Sequence, residues 1–164
     1  MIISLDTTYF MYGFNISPKP AIPQNVLDIF SENTNITEII FSDLVIFELN
    51  AKASKIIQDC VDFDYKTNLL VNLETNTKFK LIKSSESKIW EIACFLRKFH
   101  KDFVDCIHWA TAIQGKAKYF LSEDELLGEL TNRESFQDEF LEKFNYSLPP
   151  IVNFTNWSKK FIDN

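Results

Sequence analysis

Short apolar runs alternate along this chain with longer segments in which apolar residues recur every three or four positions. Runs of the first kind are typical of buried strands, and the second pattern is typical of amphipathic helices. The predicted strands are residues 1–6, 38–41, 78–83, 119–121 and 151–154. The predicted helices are residues 24–30, 42–58, 84–98, 102–114, 123–130, 134–144 and 156–163. Because strands that alternate with helices favour a mostly parallel sheet covered on both faces, we predict a three-layer α/β/α fold with a central sheet of four to five strands.

Two segments do not fit this alternation. Residues 15–23 are polar, hold three of the prolines and are expected to form a loop. Residues 61–76 are rich in acids and asparagines, and we expect a helix followed by a turn there. The length of 164 residues is that of one domain, so we predict a single domain over residues 1–164.

Composition and charge narrow the class of protein. Apolar residues make up 46% of the chain and aromatic residues 15%, which predicts a packed core rather than disorder. The net charge of −6 argues against a basic protein that coats nucleic acid. It does not exclude a small groove lined by lysines.

Cysteine usage and the N-terminus bear on the compartment. Cys60, Cys94 and Cys106 are odd in number and form no CxxC pair, so neither a disulfide framework nor a zinc knuckle is indicated. Free thiols fit a reducing compartment, and no basic segment precedes the first apolar run, so we expect no signal peptide. No apolar run approaches the roughly 18 residues of a membrane span. We therefore expect a cytoplasmic protein that does not enter membranes.

Acidic residues stand where predicted elements meet. Asp6 ends the first strand, and Asp105 lies in the first turn of the helix that starts at Asp102. Both positions have an ordinary structural explanation. Asp6 can be a helix N-cap, and Asp105 can be the return arm of a capping box that begins at Asp102.

Asp124 follows the strand at 119–121 in the same manner. Ser122 and Glu125 have the spacing of a capping box, which would leave Asp124 as an acid attracted by the helix dipole. The alternative is that Asp124 is placed there for a ligand.

Glu48 lies inside the predicted helix at 42–58. Of its neighbours one turn away, Leu44, Val45 and Ala51 are apolar or small. Glu48 therefore projects from a face that should be partly buried, where an unpaired carboxylate is costly. The ordinary alternative is an exposed ion pair with Lys52 at i+4.

Taken together, these acids predict a metal site. Carboxyl ends of parallel strands meet at one edge of a sheet, where the sites of α/β proteins lie. Carboxylates gathered there repel one another and stay ionised only with a cation between them. The candidate ligands, in chain order, are Asp6, Glu48, Asp105 and Asp124.

The same four segments resemble the motifs of the PIN-domain family of metal-dependent ribonucleases, which includes the VapC-like toxins of toxin–antitoxin pairs. Leu5-Asp6-Thr7 resembles the first motif, and residues 42–51 around Glu48 resemble the second. Residues 105–112, an Asp followed by a helix of small residues, are similar to the third motif. Residues 121–124, with Ser122 two positions before Asp124, resemble the fourth. The resemblance covers most of the chain.

This resemblance implies a metal-dependent endoribonuclease that hydrolyses RNA phosphodiester bonds and leaves a 5′-phosphate and a 3′-hydroxyl. It implies that the four acids bind Mg²⁺ or Mn²⁺, with Ser122 and Thr7 supporting them. It also implies an antitoxin protein as a possible partner and a homodimer. The chain is longer than a minimal toxin; the extra length falls in residues 61–88, a predicted insertion, and in a strand and helix at 149–164. Glu125 is the candidate for a further acid that many members carry after the fourth motif.

Substrate contacts are harder to assign. Lys52 and Lys55 follow Glu48 on roughly its face of the helix, and His108 stands one turn after Asp105. The lysines are candidates for contact with RNA phosphates, and His108 could touch a phosphate or order a water. Solvated lysines and a hydrogen-bonded histidine are the ordinary explanation.

PIN-like folds also occur in flap and other DNA nucleases, which usually carry more acids and larger insertions, so RNA is the preferred substrate. Two functions other than a nuclease remain open. The first is a catalytically silent PIN-like scaffold that binds RNA or protein. The second is a phospho-acceptor receiver-like domain, which needs a second acid beside Asp6 and a lysine at a strand end, and Lys83 fits that lysine poorly.

Overall fold

The computed structural model describes residues 1–17, 21–73 and 75–162. Its strands are β1 (Ile2–Leu5), β2 (Glu38–Ser42), β3 (Phe79–Ile82), β4 (Tyr119–Leu121) and β5 (Ile151–Val152). Its helices are α1 (Thr7–Gly13), α2 (Val26–Glu32), α3 (Leu44–Ile56), α4 (Cys60–Leu73), α5 (Ser87–Leu96), α6 (Phe103–Gln114), α7 (Glu125–Leu130), α8 (Glu134–Phe144) and α9 (Phe154–Phe161). Of the predicted elements, residues 18–20 of the loop, 74 and 163 lie outside the described residues.

The five strands form one parallel sheet in the order β3-β2-β1-β4-β5. Ile3 of β1 pairs with Ile39 of β2 on one side and with Tyr119 of β4 on the other. Every pair of strands in this sheet is parallel. The prediction of a three-layer α/β/α fold with a mostly parallel central sheet is confirmed.

Each face of the sheet carries its own apolar core. Ile39 and Phe41 of β2 pack into the first core, whereas Ile40 between them packs into the second. This alternation follows from the two-residue period of a strand. Helices α1, α2, α3, α4 and α9 contribute buried or packed residues to the first core, and α5, α6, α7 and α8 contribute to the second.

The structure differs from the predicted elements in three places. Helix α1 is absent from the prediction because its side chains are buried almost all round, so no amphipathic period is visible. Helix α4 is continuous, where a shorter helix and a turn were expected. The last strand is only two residues long, because Asn153 accepts a hydrogen bond from the Asn156 N–H (2.9 Å) and so starts α9 earlier.

The predicted domain division stays a prediction. The segment 61–88 contains nearly all of α4, all of β3 and the start of α5, and the segment 149–164 contains β5 and α9.

The cysteines of the structure are free thiols, with Cys60 and Cys94 exposed and Cys106 buried. In the part of the chain that is described, no helix is both long and apolar enough to cross a bilayer.

Gly115, the residue that follows α6, leaves room for two isoleucine side chains of the sheet. A methyl group added at Gly115 would overlap Ile40 Cδ1 and would lie 2.9 Å from Ile82 Cδ1. Gly115→Ala is therefore expected to lower the free energy of unfolding by about 1–2 kcal/mol, because Ile40 is buried and must shift. Gly128→Ala is the matched control: open space surrounds Gly128 inside α7, so the change should be neutral or stabilising by about 0.5–1 kcal/mol. Urea denaturation of both variants measures the difference, and equal effects would contradict the close approach.

Candidate active site

Asp6 lies at the carboxyl end of β1 and occupies the N-cap position of α1 without capping it. Its carboxylate makes no hydrogen bond to the helix N–H groups. It accepts hydrogen bonds from Thr8 Oγ1 and Ser122 Oγ, each at 3.2 Å. Burial raises the pKa of Asp6; His108 opposes the shift and Glu48 adds to it. The capping explanation thus accounts for the backbone of Asp6 but not for its carboxylate.

Asp124 is at the equivalent end of β4, next to β1, and it does cap a helix. Its Oδ1 accepts hydrogen bonds from the N–H groups of Leu126 (2.7 Å) and Leu127 (3.1 Å). The prediction of a capping box between Ser122 and Glu125 is therefore wrong. Ser122 Oγ instead accepts from the Asp124 N–H (3.2 Å) and donates to Asp6. Ser122 thereby links the acids at the ends of two adjacent strands.

Asp6 and Glu48 form one group with His108, in which potential ligand atoms lie within 4.8 Å of one another. Glu48 Oε2 accepts hydrogen bonds from Thr7 Oγ1 (2.5 Å) and His108 Nε2 (3.0 Å). Its Oε1 is paired with Lys52 Nζ at 2.5 Å. The ion pair with Lys52 is formed, but the Glu48 side chain is only 18% exposed.

Glu48 is ionised despite its burial. Burial alone would raise the pKa of Glu48, but hydrogen bonds from His108, Lys52 and Thr7 outweigh it and lower the pKa to about 2. For Lys52, burial would lower the pKa, but the pairing with Glu48 raises it, so both partners of the ion pair are charged at neutral pH.

Asp105 and Asp124 form a second group with His100, again within 4.8 Å. Asp102 caps α6 by accepting from the Val104 N–H (2.8 Å), so the structure assigns capping to Asp102. The Asp105 carboxylate instead bonds through Oδ2 to His100 Nε2 (3.0 Å). Burial raises the pKa of Asp105 to about 6 against the hydrogen bond from His100, and the charge of Asp6 adds to the rise.

The structure thus brings the four predicted acids to one edge of the sheet as two adjoining groups. Ser122 links the groups through Asp6 and Asp124, and repulsion between Asp6 and Asp105 spans them. Carboxylate oxygens supplemented by imidazole nitrogen are a donor set that suits divalent cations. Burial, helped by repulsion from neighbouring acids, raises the pKa values of Asp6 and Asp105, and a cation between the carboxylates would offset that repulsion.

The residues predicted to contact the substrate differ in their exposure to solvent. Lys52 and Lys55 lie on α3 with exposed side chains, on the face that carries Glu48. His108 is only 1% exposed, and its Nε2 bonds to Glu48 and lies 3.2 Å from Thr7 Oγ1. This burial argues against contact between His108 and an RNA phosphate and assigns His108 to the support of Glu48.

His100 is a site residue that was not predicted from the sequence, where His108 was the only histidine among the candidates. His100 precedes the N-cap of α6 by two positions and is 7% exposed. The available signal was that the chain has only two histidines and that both lie within five residues of Asp105.

Comparisons with known proteins agree with this fold. A family model described as the PIN domain matches residues 3–131. The crystal structure of VapBC2 from Rickettsia felis, bound to a DNA fragment from their promoter, is similar with a TM-score of 0.57 and 20% identity, over 93% of this chain and 98% of that chain. The crystal structure of FitAcB from Neisseria gonorrhoeae is similar with a TM-score of 0.50 and 18% identity, over 76% of this chain and 88% of that chain. No curated protein sequence matches this chain. Because the family model matches residues 3–131, which are most of the chain, this chain belongs to the PIN domain family.

Proposed function

We propose that this protein is a metal-dependent endoribonuclease that hydrolyses RNA phosphodiester bonds with Mg²⁺ or Mn²⁺. The observation that carries the proposal is that four carboxylates from separate parts of the chain lie in two adjoining groups at one edge of a PIN-domain sheet. The proposed metal ligands are Asp6, Glu48, Asp105 and Asp124.

A divalent ion bound by these acids would polarise the scissile phosphate and activate the attacking water. The chain's own groups fix the carboxylates in place. Ser122 holds Oδ2 of Asp6, and Thr7 with His108 holds Oε2 of Glu48. Because these oxygens are anchored, the remaining carboxylate oxygens keep their direction when the ion arrives.

Lys52 and Lys55 are proposed to contact RNA phosphates. The Lys52 ammonium lies against Glu48 and is also attracted by Asp6 and Asp105. An ion bound to Glu48 would compete with Lys52 for the carboxylate and release its ammonium toward a phosphate. These lysines would form the small basic groove that an acidic protein needs to bind RNA.

Cleavage of single-stranded and structured RNA, with Mg²⁺ or Mn²⁺ and with EDTA, tests the proposal. We expect cleavage only with metal, and 5′-phosphate ends on the products. Calorimetry in parallel separates the alternative function: metal binding without cleavage of either RNA would favour a catalytically silent PIN-like scaffold that binds RNA or protein.

We further propose that the protein is the toxin of a toxin–antitoxin pair, acts in the cytoplasm and forms a homodimer. The support is the family and the likeness to structures named VapBC2 and FitAcB. A small neighbouring reading frame whose product inhibits RNA cleavage when co-purified would support the pairing. Light scattering of the purified chain measures the dimer.

His108 is expected to act as a positioning residue for Glu48. His108→Leu should lower cleavage by about 10- to 100-fold, the usual cost of losing a group that orients a metal ligand. His108→Gln, whose amide N–H can still donate to Glu48, should retain most of the activity. Equal loss in both variants at unchanged melting temperature would contradict this role.

A further inference from the structure

The second group of potential ligands contains an imidazole that the four-acid site does not use. His100 Nε2 lies 3.0 Å from Asp105 Oδ2, and a ligand atom of Asp124 lies within 4.8 Å of both residues. His100 is buried, with 7% of its surface exposed, so its ring reaches the acids from inside the protein rather than from solvent.

The backbone around His100 is fixed. Its carbonyl accepts hydrogen bonds from Arg97 (3.2 Å) and from Cys106 Sγ (3.9 Å), which tie the turn after α5 to the start of α6. The ring is therefore presented to Asp105 by the packing of two helices. Helices α5 and α6 pack side by side in the second core.

The two carboxylates of this group keep oxygens available. Asp124 uses Oδ1 for the helix cap, and its Oδ2 accepts no hydrogen bond from the described residues. Asp105 uses Oδ2 for His100, and within the described part of the chain its Oδ1 has no hydrogen-bond donor. One ligand atom of each of the three side chains lies within 4.8 Å of the others, so two carboxylates and one imidazole could hold one ion.

The other histidine is placed differently. His108 Nε2 already has two oxygen partners, Glu48 Oε2 and Thr7 Oγ1, and the Thr7 hydroxyl donates to the same Glu48 oxygen. This closed set of hydrogen bonds uses the nitrogen that faces the acids. His100 Nε2 has one partner among the described residues, Asp105, and is the freer ligand.

We propose that His100, Asp105 and Asp124 form a metal position that takes a first-row transition ion such as Mn²⁺ in preference to Mg²⁺. Mg²⁺ selects oxygen ligands, whereas a ring nitrogen favours first-row transition ions. To bind an ion through Nε2, the His100 ring would carry its one proton on Nδ1, and the hydrogen bond from Nε2 to Asp105 would be lost. This inference rests on the metal centre of the proposed function, but not on the reaction that it performs.

Electron paramagnetic resonance of Mn²⁺ titrated into the metal-free protein, with Mg²⁺ as competitor, measures the preference. His100→Gln is the decisive variant, because its amide can still donate to Asp105 but is a poor ligand. We expect it to weaken Mn²⁺ binding by about 10-fold or more. Its Mg²⁺ affinity should change by less than about 3-fold, since Mg²⁺ does not depend on the nitrogen.

Pulsed electron paramagnetic resonance supplies a direct readout. Mn²⁺ on the unaltered protein should show coupling to a ligand nitrogen, which His100→Gln removes and His108→Gln, the matched control, retains. Circular dichroism checks that each variant is folded, and His100→Asn replaces His100→Gln if the latter does not fold.

Several outcomes would overturn the inference: no nitrogen coupling in the unaltered protein, coupling that persists in His100→Gln, or equal losses of Mn²⁺ and Mg²⁺ affinity. The last result would make His100 a positioning residue for Asp105. Absence of any metal binding would overturn the proposed metal centre as well. Bound Mn²⁺ with nitrogen coupling but without RNA cleavage would remove only the proposed activity.

Discussion

Asp6→Asn is expected to abolish RNA cleavage and, in metal-free buffer, to raise the melting temperature. Loss of a direct metal ligand should lower the cleavage rate by more than roughly 100-fold, which is the upper end of the loss expected for residues that only orient a ligand. The amide oxygen of Asn can still accept the hydrogen bonds from Thr8 and Ser122, so the fold is preserved. Burial raises the pKa of Asp6, which means that its ionised form destabilises the folded state, and the neutral amide removes that cost.

The test combines a cleavage assay in Mn²⁺ with thermal unfolding in EDTA. Asp28→Asn is the control, because Asp28 is an exposed carboxylate on α2, away from the sheet edge. It should leave both quantities unchanged. Full activity of Asp6→Asn would remove Asp6 from the metal site, and a large drop in its melting temperature would show that Asp6 has a structural role instead.

The second large effect is a fall in metal-free stability as the pH rises from about 5 to about 7. Burial raises the pKa of Asp105 from its ordinary 3.8 to about 6, so in this range the folded state binds more protons than the unfolded state. Raising the pH then favours the unfolded state. A difference of about two pH units corresponds to about 3 kcal/mol at most over the whole range from pH 3.8 to above pH 6, and about half of it falls between pH 5 and pH 7. The raised pKa of Asp6 acts in the same direction.

Ionisation of Glu48 changes the stability in the opposite direction, but it does so at lower pH. Its pKa is lowered in the folded state from 4.5 to about 2, so its stabilising contribution is present above 4.5 and is lost as the pH falls toward 2. It contributes little slope above about pH 5.

Urea denaturation in EDTA across this pH range measures the effect. Asp105→Asn should flatten the dependence and stabilise the protein most at pH 7, whereas Asp28→Asn should keep the slope of the unaltered protein. A stability that rises between pH 5 and pH 7 in EDTA would contradict the burial of ionised Asp105.

The central strands could be predicted from the sequence, because strands buried on both faces are continuous apolar runs. Residues 119–121 were assigned with their observed bounds, and β2 was assigned to within one residue. Helix α1 and the boundary between β5 and α9 were not accessible. The first lacks an amphipathic period, and the second depends on the side chain of Asn153 capping α9.

The candidate active site could also be predicted only in part. The sequence by itself determined that acids follow β1 and β4, and parallel strands with adjacent positions carry such acids to one edge. Only the tertiary structure decided how they group: Asp6 and Glu48 with His108, and Asp105 and Asp124 with His100. The contacts that set these groups join residues 60 positions apart, as between His108 and Glu48, or 116 apart, as between Ser122 and Asp6. Local periodicity reports which face of an element is buried, but the partner of a polar side chain across such distances is fixed only when the helices pack onto the sheet.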